Sequence, residues 1–338
     1  MKRRHLTTMK DIASKLKIST ATVSRALRNT YDVSRDTKNA VLEKCKELHY
    51  RPNFNARGLV NHKSHNIAVI LPTITNYYFS SVITGIQSIA YQNDYNVILY
   101  VTDESPEREI NIAKELSLSS IDGLLVCVTS ESDKCSHLME IINCGVPIVF
   151  FDRVAESINS SKVVQNDFEG AFAAVEHLIK NGYQKIAYIG GPPGLSFSRD
   201  RLGGYSHALK KYKLPMYPEW IIHSEFTQLS GSQDTIQLLN CKNKPDAIFA
   251  VNDRKAIGAM VKLKEKNIII GKEVGVVGFT NDPISAIISP SLTTIEEPAL
   301  EMGVQSCGLL LRHISRKNFL PKKIVLEGKL IIRESSKR

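Results

Sequence analysis

The stretch from Thr8 to Arg28 reads TMKDIASKLKISTATVSRALR and decides the fold of the first part of the chain. The segment from Met9 to Leu16 places its apolar residues on one face, so the pattern predicts a short helix capped by Thr8. Ser19 offers a hydroxyl cap to a second predicted helix, from Thr20 to Arg28. Two short helices joined by a tight turn indicate a helix-turn-helix, in which the second helix enters the major groove of DNA.

The second predicted helix carries side chains that suit the reading of base edges. A threonine hydroxyl donates or accepts, an alanine methyl can rest on a thymine methyl, and an arginine can make a bidentate contact with guanine. The residues of this helix that we expect to bind DNA are Thr20, Ala21, Thr22, Ser24, Arg25 and Arg28. A third helix, from about Arg35 to Leu48 with Ser34 as its cap, closes a three-helix core. A helical bundle without a role in DNA binding is the alternative that these helices leave open.

Positive charge is concentrated at the same end of the chain. Residues 1–65 hold 15 Lys and Arg against 5 Asp and Glu, and the rest of the chain holds 29 of each, so the formal net charge of +10 lies in the first segment. This asymmetry suits contact with DNA or with an anionic membrane surface, because each neutralised phosphate releases counterions. The helix-turn-helix pattern favours DNA.

Three motifs follow one another in the first sixty residues: Met9-Lys10-Asp11-Ile12-Ala13, Ser19-Thr20-Ala21-Thr22-Val23-Ser24-Arg25 and Tyr50-Arg51-Pro52-Asn53. They resemble the LacI/GalR family of bacterial transcriptional repressors, and the resemblance continues over the whole chain. It implies a DNA-binding domain over residues 1–52 and a hinge helix with a linker over residues 53–65. From the residues alone, the second segment reads as an ordinary interdomain linker.

The resemblance also implies how the hinge works. In the family the hinge helices of a dimer lie in the minor groove, where a leucine from each, here Leu59, wedges between base pairs and bends the duplex. At matching positions it adds five residues to those expected to bind DNA: Tyr50, Asn53, Ala56, Arg57 and Leu59. The two-fold symmetry of a homodimer predicts a near-palindromic operator.

From residue 66 onwards, apolar β-branched runs alternate with amphipathic segments. This rhythm predicts parallel sheets covered by helices on both faces, in two similar half-domains. The expected fold is a small all-α helix-turn-helix domain followed by a two-lobed α/β domain like that of periplasmic binding proteins, with two doubly wound parallel sheets. We expect residues 66–338 to bind an effector and to dimerise. Lobe one is predicted to hold about 66–164 plus 297–325, and lobe two about 165–292 plus the C-terminal segment.

In open sheets of this type a ligand binds beyond the carboxyl ends of the strands, so the loops there are candidate sites. Aromatic faces combined with fixed donors and acceptors suit sugars or nucleobases. The candidate effector-binding residues are Asn76, Tyr77, Phe79, Asp152, Arg153, Phe197, Arg199, Asn252, Asp253, Thr280, Asn281 and Asp282. The resemblance supports Asp152, Arg199, Asn252 and Asp253 at matching positions, although Arg201 and Asp253 suit a structural role equally well. Thr280 stands where many family members have an acidic residue. The resemblance therefore gives little ground for assigning this chain the particular sugar that any family member binds.

The resemblance implies a sequence-specific DNA-binding regulator, a repressor of carbohydrate-utilisation genes whose operator affinity is set by a sugar or related metabolite between the lobes. The sequence leaves open whether the protein represses or activates transcription. It also leaves open whether the effector releases the DNA or promotes its binding. A cytoplasmic, nucleoid-associated location is expected, because the polar stretch after Met1-Lys2-Arg3-Arg4 does not fit a signal peptide.

Other classes of protein fit the sequence less well. An enzyme is disfavoured, since Gly190-Gly191-Pro192-Pro193-Gly194 is not a dinucleotide motif and no phosphate loop, nucleophile elbow or H-E-x-x-H motif occurs. A secreted sugar-binding protein would share the two lobes but needs a signal peptide. The six cysteines show no zinc-site spacing, so neither a metal nor another cofactor is expected. No apolar run approaches eighteen residues, which argues against a membrane partner.

Overall fold

The computed structural model of the chain describes residues 7–27, 32–50, 63–129, 135–316 and 319–338. The chain divides into two compact units, Met1–Ser64 and His65–Arg338. Within the described residues, no helix is long and apolar enough to cross a membrane. Five residues predicted to bind DNA lie outside the described residues, as does most of the predicted hinge: Arg28, Asn53, Ala56, Arg57 and Leu59.

The first unit contains three helices, Met9–Leu16, Thr20–Leu27 and Arg35–Glu47. The first is capped as predicted: the Asp11 backbone N–H donates to the Thr8 hydroxyl, and the Thr8 N–H donates to the Asp11 carboxylate. The turn between the first two helices ends the first helix at Lys17, whose φ of 55° is left-handed. A small apolar core joins the helices through Ile12, Ala13, Val23, Ala26 and Val41.

The second unit has two lobes, as the sequence predicted. Lobe one is built on a six-stranded parallel sheet whose strands, in spatial order, are Lys323–Leu326, Ser161–Gln165, Ile148–Phe151, Gly123–Val126, Asn66–Leu71 and Asn96–Val101. The helices that cover it are Tyr77–Gln92, Pro106–Glu115, Ser136–Asn143 and Ala299–Ser315. The apolar residues of the central strands Ile148–Phe151, Gly123–Val126 and Asn66–Leu71 are buried on both faces beneath these helices, which is why these strands read as continuous apolar runs. The edge strand Asn96–Val101 is partly exposed.

Lobe two is built on a four-stranded parallel sheet with the spatial order Ile221–His223, Ile186–Gly190, Ala247–Ala250 and Gly275–Val277. Its main helices are Asp167–Lys180, Ser196–Lys211, Gln228–Asn240 and Asp253–Glu265, with a short helix at Ile284–Ile287. In both sheets the loops at the carboxyl ends of the strands lead into helices whose first turns carry polar residues.

The chain crosses between the lobes three times. The first crossing follows Ser161–Gln165, and the other two contain the short antiparallel strands Thr294–Glu296 and Lys329–Ile331, which pair with each other. After the last crossing, the segment 332–338 returns to lobe two. There the Ser335 hydroxyl donates to the Val276 carbonyl, and both Ser335 and Ser336 are fully buried. Both lobes therefore depend on residues near the end of the sequence.

Candidate functional site

The helix Thr20–Leu27 presents part of its surface to solvent. Thr20, Ala21 and Arg25 are exposed, whereas Thr22 and Ser24 are partly buried. The Ser19 hydroxyl caps this helix by accepting a hydrogen bond from the Thr22 backbone N–H. The side chain of Arg25 is 57% exposed and lies 3.3 Å from Asp32 in an ion pair. An exposed pair of this kind is weak, so the guanidinium is available to a stronger anionic partner.

Tyr50, the remaining predicted DNA contact within the described residues, lies after the third helix. Its ring is partly buried and packs against the three-helix core, and its backbone N–H donates to the Cys45 carbonyl. This placement gives Tyr50 a part in holding the core together.

In the second unit a cleft of about 140 Å³ opens between the two lobes. Nine of the twelve predicted effector-binding residues line it: Asn76, Phe79, Asp152, Arg153, Phe197, Asn252, Asp253, Thr280 and Asp282. The other lining residues are Thr73, Tyr78, Glu104, Arg201, Phe226, Arg254 and Glu297. The cleft thus combines aromatic rings with charged and amide groups at the carboxyl ends of both sheets, where ligands of such sheets bind.

Arg201 makes three hydrogen bonds and stacks on an aromatic ring at the cleft. Its Nε donates to Asp167 at 2.7 Å, its Nη1 to the Val251 carbonyl at 2.6 Å and its Nη2 to Glu297 at 2.6 Å. The guanidinium carbon lies 3.6 Å from the centre of the Phe279 ring. Arg201 therefore joins lobe two to two of the crossings, since Asp167 follows the first and Glu297 the second.

One guanidinium can neutralise only one of the two carboxylates beside it. Burial, together with the neighbouring negative charges, raises the pKa of Asp167 to about 6 and that of Glu297 to about 7, even though Arg201 acts in the opposite direction on both. Both carboxyls therefore titrate closer to neutral pH than ordinary carboxyls do. The acid–base state of the cleft changes near physiological pH.

We expect the free energy of unfolding of the second unit to fall as the pH rises from about 5 to about 8. The folded carboxyls keep protons that the unfolded carboxyls have lost, so this stabilisation is complete at low pH and disappears as the pH passes through the two raised pKa values. For Glu297 it amounts to roughly 2–3 kcal/mol. Urea unfolding across this range tests it, and the Glu297→Gln variant is expected to show a smaller slope. Identical slopes would contradict the assignment.

Asp152 anchors the lobe-one side of the cleft. It adopts a left-handed φ of 59° and accepts a hydrogen bond from the Tyr78 hydroxyl at 2.9 Å. Burial, followed by the charge of Asp152, raises the pKa of Tyr78 well above its usual value. Tyr78 is therefore a neutral donor whose ring forms part of the cleft floor.

The asparagines and Asp253 hold the loops of the cleft. The side chains of Asn76 and Asn252 accept backbone hydrogen bonds as caps of the helices that follow them. Both carboxylate oxygens of Asp253 are taken, because Oδ1 accepts from the Thr294 hydroxyl and Oδ2 from the Ser285 hydroxyl and the Asp282 backbone N–H. Of the two roles open for Asp253, the contacts support the structural one.

Thr280 introduces backbone strain at the cleft. Its φ is 126°, which is costly for a β-branched residue. The conformation is held by a hydrogen bond of 2.7 Å from its N–H to the Ile295 carbonyl, in the second crossing. The strained residue thus connects the cleft to a segment that joins the lobes.

Three predicted residues lie outside the cleft. The side chain of Tyr77 is turned away and the residue is 49% exposed, while its neighbour Tyr78 lines the cleft. Arg199 is exposed, because two positions along a helix rotate a side chain by about 200° from the direction of Arg201. The amide of Asn281 is bonded to Arg333 and Glu296. Arg201, and not Arg199, lines the cleft.

Three residues that line the cleft, Glu104, Phe226 and Glu297, were not predicted from the sequence. Glu104 follows the strand Asn96–Val101 and obeys the same rule as the residues that were chosen, so it could have been found. Phe226 follows the strand Ile221–His223, whose three residues are too few to show a pattern. Glu297 depends on the second crossing, which no local pattern reveals. In the part of the chain that the structure describes, no group of three or more His, Cys, Asp or Glu residues is arranged to hold a metal ion.

Comparisons with known proteins give the same picture for both units. The family model of bacterial regulatory proteins of the lacI family matches residues 8–53, and the model of the periplasmic binding protein-like domain matches residues 175–336. The HTH-type transcriptional repressor PurR of Actinobacillus pleuropneumoniae serotype 3 (strain JL03) is 32% identical over 333 residues, which are 98% of each chain. The chain belongs to the LacI family.

Further members of the LacI family match over almost the whole length. PurR of Histophilus somni (strain 2336) is 30% identical over 98% of this chain and 99% of its own. The solved Lac repressor dimer, bound to operator and the anti-inducer ONPF, superposes with a TM-score of 0.86 at 26% identity, covering 98% of this chain and 99% of that one. This LacI-family chain is therefore a transcriptional repressor of the LacI/PurR type with a DNA-binding domain, not an enzyme.

Proposed function

We propose that the protein is a homodimeric repressor that binds a near-palindromic operator and changes its DNA affinity when a small molecule occupies the cleft between the lobes. The observation that carries this proposal is the cleft itself, in a chain that aligns from end to end with repressors. A repressor of this kind acts on DNA in the cytoplasm, where we also place this one. The effector biases the arrangement of the lobes, and the dimer passes this bias to the DNA-binding units.

Two effector classes deserve testing, and we favour the first. The relatives named PurR support a purine-class effector and purine-related genes over the carbohydrate class that the sequence predicted. The rings of Phe79, Phe197 and Phe226 in the cleft suit a flat heterocycle, which can stack on them. A sugar, the class that the sequence predicted, is the second candidate, because the combination of aromatic rings with charged and amide groups in the cleft also suits a sugar.

A thermal-shift screen of the purified full-length protein tests both classes. The compounds are purine bases, nucleosides, monosaccharides and disaccharides. A ligand at 100 times its dissociation constant adds about 2.7 kcal/mol to the folded state, which raises the melting temperature of a unit of this size by about 5 °C. Hits among purines alone support the first class, and hits among sugars alone replace it by the second. A screen without hits would contradict effector control by either class.

The DNA-binding part of the proposal predicts a specific effect of Arg25→Ala. After the operator has been selected from random DNA, this variant is expected to lose about 1–3 kcal/mol of operator affinity but little affinity for random DNA, since a base contact supplies specificity. Fluorescence anisotropy at one fixed salt concentration measures both. The exposed Lys46, on the third helix, provides the control: Lys46→Ala should leave the ratio of the two affinities unchanged. If Arg25→Ala lost the same factor of affinity for the operator and for random DNA, Arg25 would not contact a base.

A further inference from the structure

Arg153 reaches from one lobe to the other across the cleft. It follows the strand Ile148–Phe151 of lobe one, and its side chain is only 8% exposed. Its guanidinium carbon lies 5.5 Å from the ring centre of Phe197 and 5.6 Å from that of Phe226, and both rings belong to lobe two. A cation at this distance from aromatic rings is attracted to them, most strongly when water is excluded. The side chain therefore connects the two lobes directly.

Glu104 of lobe one fixes the direction of this side chain. The two terminal nitrogens of Arg153, Nη1 and Nη2, donate to the two carboxylate oxygens of Glu104 at 2.7 Å and 3.1 Å. Such a paired contact requires the planar fork of an arginine, so it sets orientation as well as distance. Both Asp103 and Glu104 adopt a left-handed φ, of 55° and 57°, in the short loop that presents the carboxylate. Arg153 is thus held firmly from its own lobe and only by ring contacts from the other.

The remaining nitrogen of Arg153 has no partner. The Nε atom is buried without a hydrogen bond, and the nearest carboxylate oxygen, that of Asp152, is 3.9 Å away. A buried N–H without an acceptor is costly, so the position across the cleft is less favourable than its ring contacts alone indicate. The two rings that Arg153 covers also stack on each other, with centroids 5.6 Å apart. A ligand that uses these rings must compete with the guanidinium.

We propose that Arg153 is an internal latch: in the effector-free protein its guanidinium holds the lobes together over Phe197 and Phe226, and the effector competes with it for these rings. The inference rests on the proposed function, because it names how the same cleft is regulated. It has a quantitative consequence. An effector that binds only the unlatched form has its apparent dissociation constant raised in inverse proportion to the unlatched fraction.

Hydrogen exchange of the full-length protein without any ligand tests the latch. In Arg153→Met, the backbone amides of segments 76–80 and 224–231, which form the two edges of the cleft, are expected to exchange about tenfold faster than in the wild type. Amides in the strands of both lobes should keep their rates. Arg108→Met is the matched control, since it removes a 60% exposed arginine that pairs with Asp103 of the same loop. Wild-type rates at both edges in Arg153→Met would overturn the latch.

Chemical rescue distinguishes a latch from a general packing role. In Arg153→Ala, millimolar methylguanidinium is expected to restore the slow exchange of both edges, because it fits the space left between Glu104 and the two rings. It should not affect the Arg108→Ala variant. Faster exchange throughout the variant, with no rescue, would overturn the proposal by making Arg153 an ordinary core residue. These measurements need no effector, so a thermal-shift screen without hits would contradict effector control by purines or sugars without affecting the test of the contact between the lobes.

Discussion

Asp234→Ala is expected to lower the free energy of unfolding of the second unit by about 3–5 kcal/mol, because it leaves the ammonium group of Lys255 charged and buried without its counter-ion. Lys255 is completely buried, and its Nζ lies 2.6 Å from the Asp234 carboxylate. The same atom donates to the Ser224 hydroxyl and to the Gly190 carbonyl, both at 2.6 Å. Burial lowers the pKa of Lys255 and thus works against the charge that these partners favour. Urea unfolding followed by circular dichroism measures the loss.

Two further variants show whether the loss of stability comes from the buried charge or only from lost packing. The double variant Lys255→Met/Asp234→Leu is expected to recover most of the stability, since apolar residues of similar volume often replace a buried pair at little cost. Lys180→Ala removes one ion of a pair with Glu176 in which the lysine is 62% exposed, and it should change stability by less than about 1 kcal/mol. A double variant as unstable as Asp234→Ala would show that the charge is not the cause.

Arg201→Met is expected to abolish the response to the effector, with a loss of affinity of at least about 100-fold, because truncating one partner of a buried charge network costs several kcal/mol. The variant also leaves Asp167 and Glu297 without their shared cation, so the cleft, which Glu297 lines, should lose its shape. The measurement is the effector's thermal shift, together with the DNA affinity in the presence and absence of effector.

Arg199→Met is the matched control for Arg201→Met. It removes the same charge two positions earlier on the same helix, outside the cleft, and we expect a wild-type thermal shift. The DNA-binding helices should stay folded in both variants, because they have their own core in a separate compact unit. If Arg199→Met lost the response and Arg201→Met kept it, the cleft assignment would be wrong.

The fold could be predicted from the sequence because its signals are local. The cap at Thr8, the apolar stripe that includes Ile12 and the cap at Ser19 lie within a few residues of the helices that they define. The central strands of both lobes are buried on two faces and therefore appear as uninterrupted apolar runs. The short crossings, such as Thr294–Glu296, could not be found this way, since their pairing joins residues more than thirty positions apart.

The candidate site could be predicted only as far as the loop rule reaches. That rule selected nine residues that line the cleft, but it could not decide which of two nearby residues points inward. Whether Arg199 or Arg201 faces the cleft, and whether Tyr77 or Tyr78 does, depends on the rotation of each helix about its axis. Packing of the helix against the sheet fixes that rotation. Likewise, the partners of Arg153 come from the other lobe and become visible only when both lobes are in place.

The return of the chain to each lobe also affects how the protein is made. The sheet of lobe one needs the strand Lys323–Leu326, and lobe two needs the buried Ser335 and Ser336, which pack beside its edge strand Gly275–Val277. On the ribosome, neither lobe can finish folding before these last residues have been synthesised and have left the exit tunnel. The DNA-binding helices, in contrast, can fold while the rest of the chain is still being translated. A nascent chain could therefore hold a DNA-binding domain long before it has a sensor to control it.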